Sequence, residues 1–169
     1  MSDIPKPTPA KPEAITAFLD ACRAAMPHER IGAQARPRCI GLNAETAATI
    51  LNIVAAGNKT GTFSLVWLHE KKPETRPYIA EQVVLCDYAG NPKILLRTTG
   101  LELVAWRDIG PGHTALDGPS MRDVTAWRKV HWQLWSGQLA AVGLTASEDM
   151  PVCVERFKVV YPKIPTTVI

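Results

Sequence analysis

The chain has 169 residues, 46% of them hydrophobic, and a formal net charge of +3 from 19 Lys and Arg against 16 Asp and Glu. That length fits one domain with appended segments and supports a real core, which excludes a wholly disordered chain. The mild basic excess permits nucleic-acid binding without the dense basic stripe of a strong binder, and no apolar run approaches the length of a bilayer-spanning helix.

Residues 1–12, with Pro5, Pro7, Pro9 and Pro12, read as a flexible Pro-rich tail. Residues 13–42 read as an N-terminal helix and linker. Ile15, Phe18, Leu19 and Cys22 recur at helical spacing, Pro27 closes the helix, and Arg30, Arg36 and Arg38 lie in the linker. Asn43 is the expected N-cap of a second helix, with Ala47, Ile50, Leu51 and Val54 as its buried stripe and Gly57 as its left-handed terminator. A strand is expected over 63–67 and a charged loop over 69–77. Two further strands, over 82–87 and 93–103, flank the turn cluster Asp87-Tyr88-Ala89-Gly90-Asn91-Pro92. A glycine-rich loop with His113 and Asp117 follows, then a helix over 120–136 with Ser120 as its N-cap, and a last strand over 152–161. Residues 163–169 form a C-terminal tail. Strands and helices without regular βαβ alternation predict an α+β fold with a mostly antiparallel sheet or small barrel.

Cys22, Cys39, Cys86 and Cys153 lie far apart, and the N-terminus lacks an apolar leader. This predicts a cytoplasmic protein with reduced thiols. No His/Cys/Asp/Glu set has ligand spacing, so no metal is expected. The lysine of Gly57-Asn58-Lys59-Thr60-Gly61-Thr62 has no glycine immediately before it, so this block is not a phosphate-binding loop of the Walker type, and no cofactor is expected.

Several residues nevertheless carry chemistry. Lys59, Thr60 and Thr62 place a cation and two hydroxyls at one spot, and a partly desolvated lysine serves as a base. A lysine at the end of a helix is explained equally well by attraction to the aligned carbonyls. Glu155 sits in an otherwise apolar row of the last strand, with Cys153, Phe157, Val159 and Tyr161; it is either a pocket acid or half of an ion pair. On the helix over 120–136, Trp127, His131 and Trp135 share a face, and Arg128 and Trp132 form the adjacent stripe. Large aromatics of this kind pack helix on sheet, and one exposed ring beside Arg128 and His131 would stack on a base.

In order, the Gly57–Thr62 block, the hairpin over 83–99, Trp127-Arg128-Lys129-Val130-His131 and Val152-Cys153-Val154-Glu155-Arg156-Phe157 resemble the ASCH domain of the PUA-like superfamily, in its small bacterial branch. The resemblance covers about residues 43–162 and leaves residues 1–42 as an N-terminal extension. It implies a small PUA-like antiparallel β-barrel flanked by helices, with a cleft for RNA or a nucleotide. Asn58, Thr60, Trp127, Arg128, His131 and Trp132 are then the binding residues, with Arg36, Arg38 and Lys129 extending a basic track. Some members resemble amidohydrolases of acylated cytidine that use a lysine, a threonine three residues on and a glutamate. Here these fall on Lys59, Thr62 and, in Leu116-Asp117-Gly118-Pro119, Asp117. The implied partner is RNA or a modified nucleoside or nucleotide, with no membrane. Two alternatives stand beside plain binding: a hydrolase, amidohydrolase or ribonuclease in type, using Lys59, Thr62 and an acid (Asp117 or Glu155), and a protein-interaction adaptor working through the N-terminal extension.

Overall fold

The computed structural model of the chain describes residues 6–163, so parts of both expected tails lie outside the described residues. In chain order the elements are α1 (Pro12–Ala25), β1 (Arg36–Arg38), α2 (Ala44–Ala55), β2 (Gly61–Leu65), α3 (Val66–Lys71), β3 (Gln82–Cys86), β4 (Pro92–Ala105), α4 (Pro111–Thr114), α5 (Val124–Ala140) and β5 (Pro151–Tyr161). The strands hydrogen-bond in the order β1-β3-β4-β5-β2 in one sheet, and the fold is α+β. The pairs β3–β4 and β2–β5 are antiparallel, whereas β1 runs parallel to β3 with Arg36 opposite Val83. Among the described residues no helix is long and apolar enough to cross a membrane.

The chain divides into two compact units, one built from Lys59–Ile79 and Thr99–Phe157 and the other from the remaining segments. In the latter, α1 lays Ile15, Leu19 and Cys22 on Val84, Leu95 and Val160, and Phe18 meets Tyr161 edge-on. The helix therefore spends its apolar face on this core. Residues 6–11 have no regular structure, yet the Thr8 amide donates to the Tyr88 carbonyl at 3.0 Å and Ala10 packs on the same core. Gly90 (φ +87°) makes that approach feasible, because a Cβ there would lie 2.8 Å from the Thr8 carbonyl oxygen. The unit also contains β1, which sequence periodicity missed. A three-residue Arg-Pro-Arg strand has no apolar pattern, and Arg36 is secured by a two-pronged pairing with buried Glu81 at 2.7 and 3.1 Å.

The unit that carries Lys59 has its own core of Phe63, Leu65, Trp106, Trp127, Trp135, Leu139 and Val152, with Val154 beside them. Two boundaries differ from expectation here. The strand over 63–67 in fact starts at Gly61 and stops at Leu65, and Trp67 lies in α3. The run from Phe63 to Leu68, apolar but for Ser64, gives no period that marks where strand becomes helix. The turn is fixed instead by His69, whose ring nitrogens lie 2.7 Å from Ser64 Oγ and 2.8 Å from Thr75 Oγ1. The helix expected from 120 begins at Val124, capped by Asp123, whose carboxylate accepts from the Ala126 amide at 2.8 Å; Ser120 belongs to a 3-10 turn. All four cysteines are free, and burial raises the Cys22 and Cys86 thiols to about 11 and pushes Cys39 up as well.

Candidate functional site

The expected N-cap and terminator of α2 are both present. Asn43 accepts from the Thr46 amide at 2.9 Å, and Gly57 adopts φ +73°. The Gly57 amide donates to the Val54 carbonyl and the Asn58 amide to the Ile53 carbonyl, at 3.0 and 2.8 Å, which closes the helix as a Schellman motif. Backbone amides thus satisfy the terminal carbonyls, and a cation is not required for that purpose. Asn58 itself is exposed.

Lys59 is buried, and its Nζ lies 2.5 Å from Asp117 Oδ1. Backbone contacts and one side-chain bond hold the two together across a separation of 58 in sequence. The Thr60 and Gly61 amides both donate to the Leu116 carbonyl, at 2.9 and 3.1 Å, which ties the start of β2 to the loop before Asp117. The Asp117 amide donates to Thr114 at the end of α4, and the Arg122 guanidinium donates to the Asp117 carbonyl. Gly61 permits the close approach, since a Cβ there would meet Leu116 Cβ and the Glu155 carbonyl oxygen, each at 2.8 Å. Asp117 Oδ1 also accepts from the Gly118 amide at 2.7 Å. An ion pair only 5% and 8% exposed is held by this network of hydrogen bonds, because Coulomb attraction alone does not repay the desolvation of both charges.

Thr62 and Glu155 are buried and stand directly opposite each other in the β2–β5 register. Paired residues of adjacent strands project to the same side of the sheet. Thr60, by contrast, is exposed, so its hydroxyl does not join that of Thr62. Its amide and carbonyl are both used, the carbonyl by the Phe157 amide at 3.0 Å.

The aromatic helix resolves into two roles. Trp127 is fully buried, stacked on His131 at 4.0 Å and edge-on to Phe63 at 4.8 Å, with Trp106 and Trp135 on its flanks. Its ring faces are filled by neighbours, and its Nε1 is a sealed donor without a hydrogen-bond partner. Trp132 is 37% exposed and packs on Trp106 at 5.3 Å, so it is the ring of the two that solvent reaches. Arg128 lies over Trp106 at 5.9 Å and donates to the Arg107 and Ile109 carbonyls at 2.7 and 3.1 Å. Burial lowers the His131 pKa, the Trp127 carbonyl and Asp117 oppose that shift, and Lys59 adds to it. Arg36, expected on the basic track, is engaged by Glu81.

Sequence reasoning missed Leu116, Arg122 and Trp106. The first two act through a backbone carbonyl and a bond to one, which leave no trace in residue type. Trp106 carries a signal only as an aromatic beside Arg107 at the end of a long strand. Among the described residues no group of His, Cys, Asp and Glu could hold a metal ion.

Residues 38–161 match a family model described as the ASCH domain. Two solved structures share the fold. One is an ASCH domain from Lactobacillus crispatus JV V101, 19% identical, with a TM-score of 0.78 over 89% of this chain and 96% of that one. The other is protein EF3133 from Enterococcus faecalis V583, assigned to DUF984, also 19% identical, with a TM-score of 0.74 over 88% and 93%. Both alignments span more of the chain than residues 38–161, so the shared architecture takes in part of what the sequence set apart as an extension. No curated protein matches the chain.

Proposed function

The chain belongs to the ASCH domain family, and from that premise we propose that it binds RNA or a nucleotide in the cytosol, at a recess lined by Lys59, Thr62, Asp117 and Glu155. The observation that supports this reading most is the buried contact between Lys59 and Asp117. An ammonium and a carboxylate side by side offer donors to a base carbonyl or phosphate oxygen and an acceptor to a base N–H. Outside the recess, Trp132 presents an exposed ring near Arg128, with exposed Lys129 on the same helix, a combination suited to a flanking nucleotide. The test is fluorescence anisotropy with short single-stranded RNA and with mononucleotides across a salt series. Affinity should fall steeply with salt through counterion release, and Lys59→Ala should abolish it. Absent or salt-indifferent affinity overturns the reading.

A second reading, hydrolysis of an N-acylated nucleoside or of RNA, is favoured by one feature of the same pair. At 2.5 Å, Asp117 fixes the Lys59 nitrogen in place, and that nitrogen, once it has lost a proton to solvent, is an amine base. That amine would take a proton from water as the water oxygen attacks the acyl carbonyl and return it to the nucleoside nitrogen as the C–N bond breaks, giving a carboxylic acid and the free amino nucleoside; if the Thr62 hydroxyl attacks instead, a water then hydrolyses the acyl-threonine ester to the same products. Asp117, one methylene shorter than the glutamate of related sequences, reaches Lys59 because the Leu116 carbonyl draws its loop onto β2. Turnover of N-acylated cytidine, or cleavage of single-stranded RNA, should vanish in Lys59→Ala that remains folded. Activity that survives the substitution sinks this assignment.

A further inference from the structure

One ring nitrogen of His131, a side chain within electrostatic reach of Lys59 and Asp117, has no hydrogen-bond partner among the described residues. His131 stacks on Trp127 at 4.0 Å and lies edge-on to Phe63 and Trp135 at 6.0 and 5.1 Å. Its Nδ1 is 2.9 Å from the Trp127 carbonyl oxygen. A carbonyl oxygen only accepts, so Nδ1 carries the proton; a neutral imidazole has a single N–H, and Nε2 therefore presents a lone pair. Among the described residues nothing hydrogen-bonds to Nε2, and the His131 side chain is partly exposed. The charged groups that bear on the ring are Lys59 and Asp117, and burial keeps the imidazole neutral at pH 7.

We infer that His131 is the specificity-determining residue of this site, its Nε2 accepting a hydrogen bond from the exocyclic amino group of a nucleobase. This rests on the nucleoside reading above. An acceptor requires an N–H on the ligand. The surrounding rings decide which kind: their electron-rich faces favour the positive edge of an amino group and oppose the carbonyl oxygens that flank the ring N–H of a keto base. Lys59, whose charge bears on the ring, would supply the donor for a ring carbonyl or nitrogen.

The test is calorimetric binding of four nucleosides to the full chain: cytidine against 2-pyrimidinone riboside, and adenosine against purine riboside. Each pair differs only by the amino group, and the analogue is smaller, so steric exclusion does not enter. At pH 8 the wild type should bind at least one amino nucleoside about tenfold tighter than its partner, the order of one hydrogen bond. His131→Phe, which keeps the ring stack, should erase that preference while retaining residual binding. The wild type should also lose the preference at acid pH, once Nε2 is protonated and becomes a donor. That arm needs no variant, so the test stands if His131→Phe fails to fold. Equal binding within both pairs overturns the inference and leaves the nucleoside reading intact, as does a preference that survives both His131→Phe and acid. Binding of none of the four by the wild type overturns both.

Discussion

A buried ammonium–carboxylate contact is stable only while both partners are present. Removing one leaves a charge in a site built to exclude water, and such single deletions cost about 3–5 kcal/mol. Asp117→Leu and Lys59→Met should each lower stability by that order in urea melts, and the double variant should recover most of the loss, because it leaves no lone charge. Ligand binding should not return with stability. Full binding by the double variant would show that the pair is purely structural. His131 supplies a second residue-scale expectation. Its folded pKa is depressed by burial. The unfolded chain therefore takes up a proton first as pH falls below about 6.5, where an unperturbed histidine titrates. Its contribution to stability is complete above that point and is lost as pH falls toward the lowered folded value. Melts from pH 8 to pH 5 should show this decline, and His131→Phe should flatten it. Lys59 was legible as a candidate because a lysine between small turn residues stands out. Its partner was legible only through the family resemblance, since nothing in residue spacing links positions 58 apart.

At the scale of elements, β2 and the loop before α5 meet through Gly61. A methyl group there would collide with backbone at the Glu155 carbonyl oxygen as well as with Leu116. Backbone cannot yield as a flexible side chain does, so Gly61→Ala should cost about 1–3 kcal/mol and weaken ligand binding by pushing Leu116, and Asp117 with it, away from Lys59. Wild-type affinity in a folded Gly61→Ala protein would show that this closeness is not needed. Helix α2, its cap and its terminator were readable from Asn43, the apolar stripe and Gly57, because capping chemistry is local. The register that sets Thr62 opposite Glu155 was not readable. Alternation along each strand gives faces, whereas pairing is decided by turns and partners elsewhere in the chain. The misplaced helix start has a similar cause: Ser120 and Asp123 both carry N-cap chemistry, and Pro119 directs the first into a 3-10 turn.

At the scale of the whole molecule, residues on both sides of position 43 lie in one compact unit. Leu19 and Cys22 are fully buried, and β1 pairs with β3. Deleting residues 1–42 should therefore lower the melting temperature of the domain by more than 10 °C, well beyond the few degrees expected from loss of a solvated arm. An unchanged melting temperature would restore the picture of a detachable adaptor segment. Composition and order of elements sufficed for the α+β class. The parallel strand at the sheet edge and the reach of the fold toward the N-terminus escaped because neither Arg36–Arg38 nor the prolines before α1 carry an apolar signature.

The state of the four thiols has a practical consequence for probing this protein. Maleimide and iodoacetamide reagents attack the thiolate, and Cys22 and Cys86 hold their protons to about pH 11 within the folded chain, while Cys39 is shifted the same way and Cys153 is enclosed. A cysteine introduced on the solvent side of α5, at Lys129, would outpace all of them near neutrality. A fluorophore can then be attached beside Trp132 without first stripping the native sulfur atoms from the sequence.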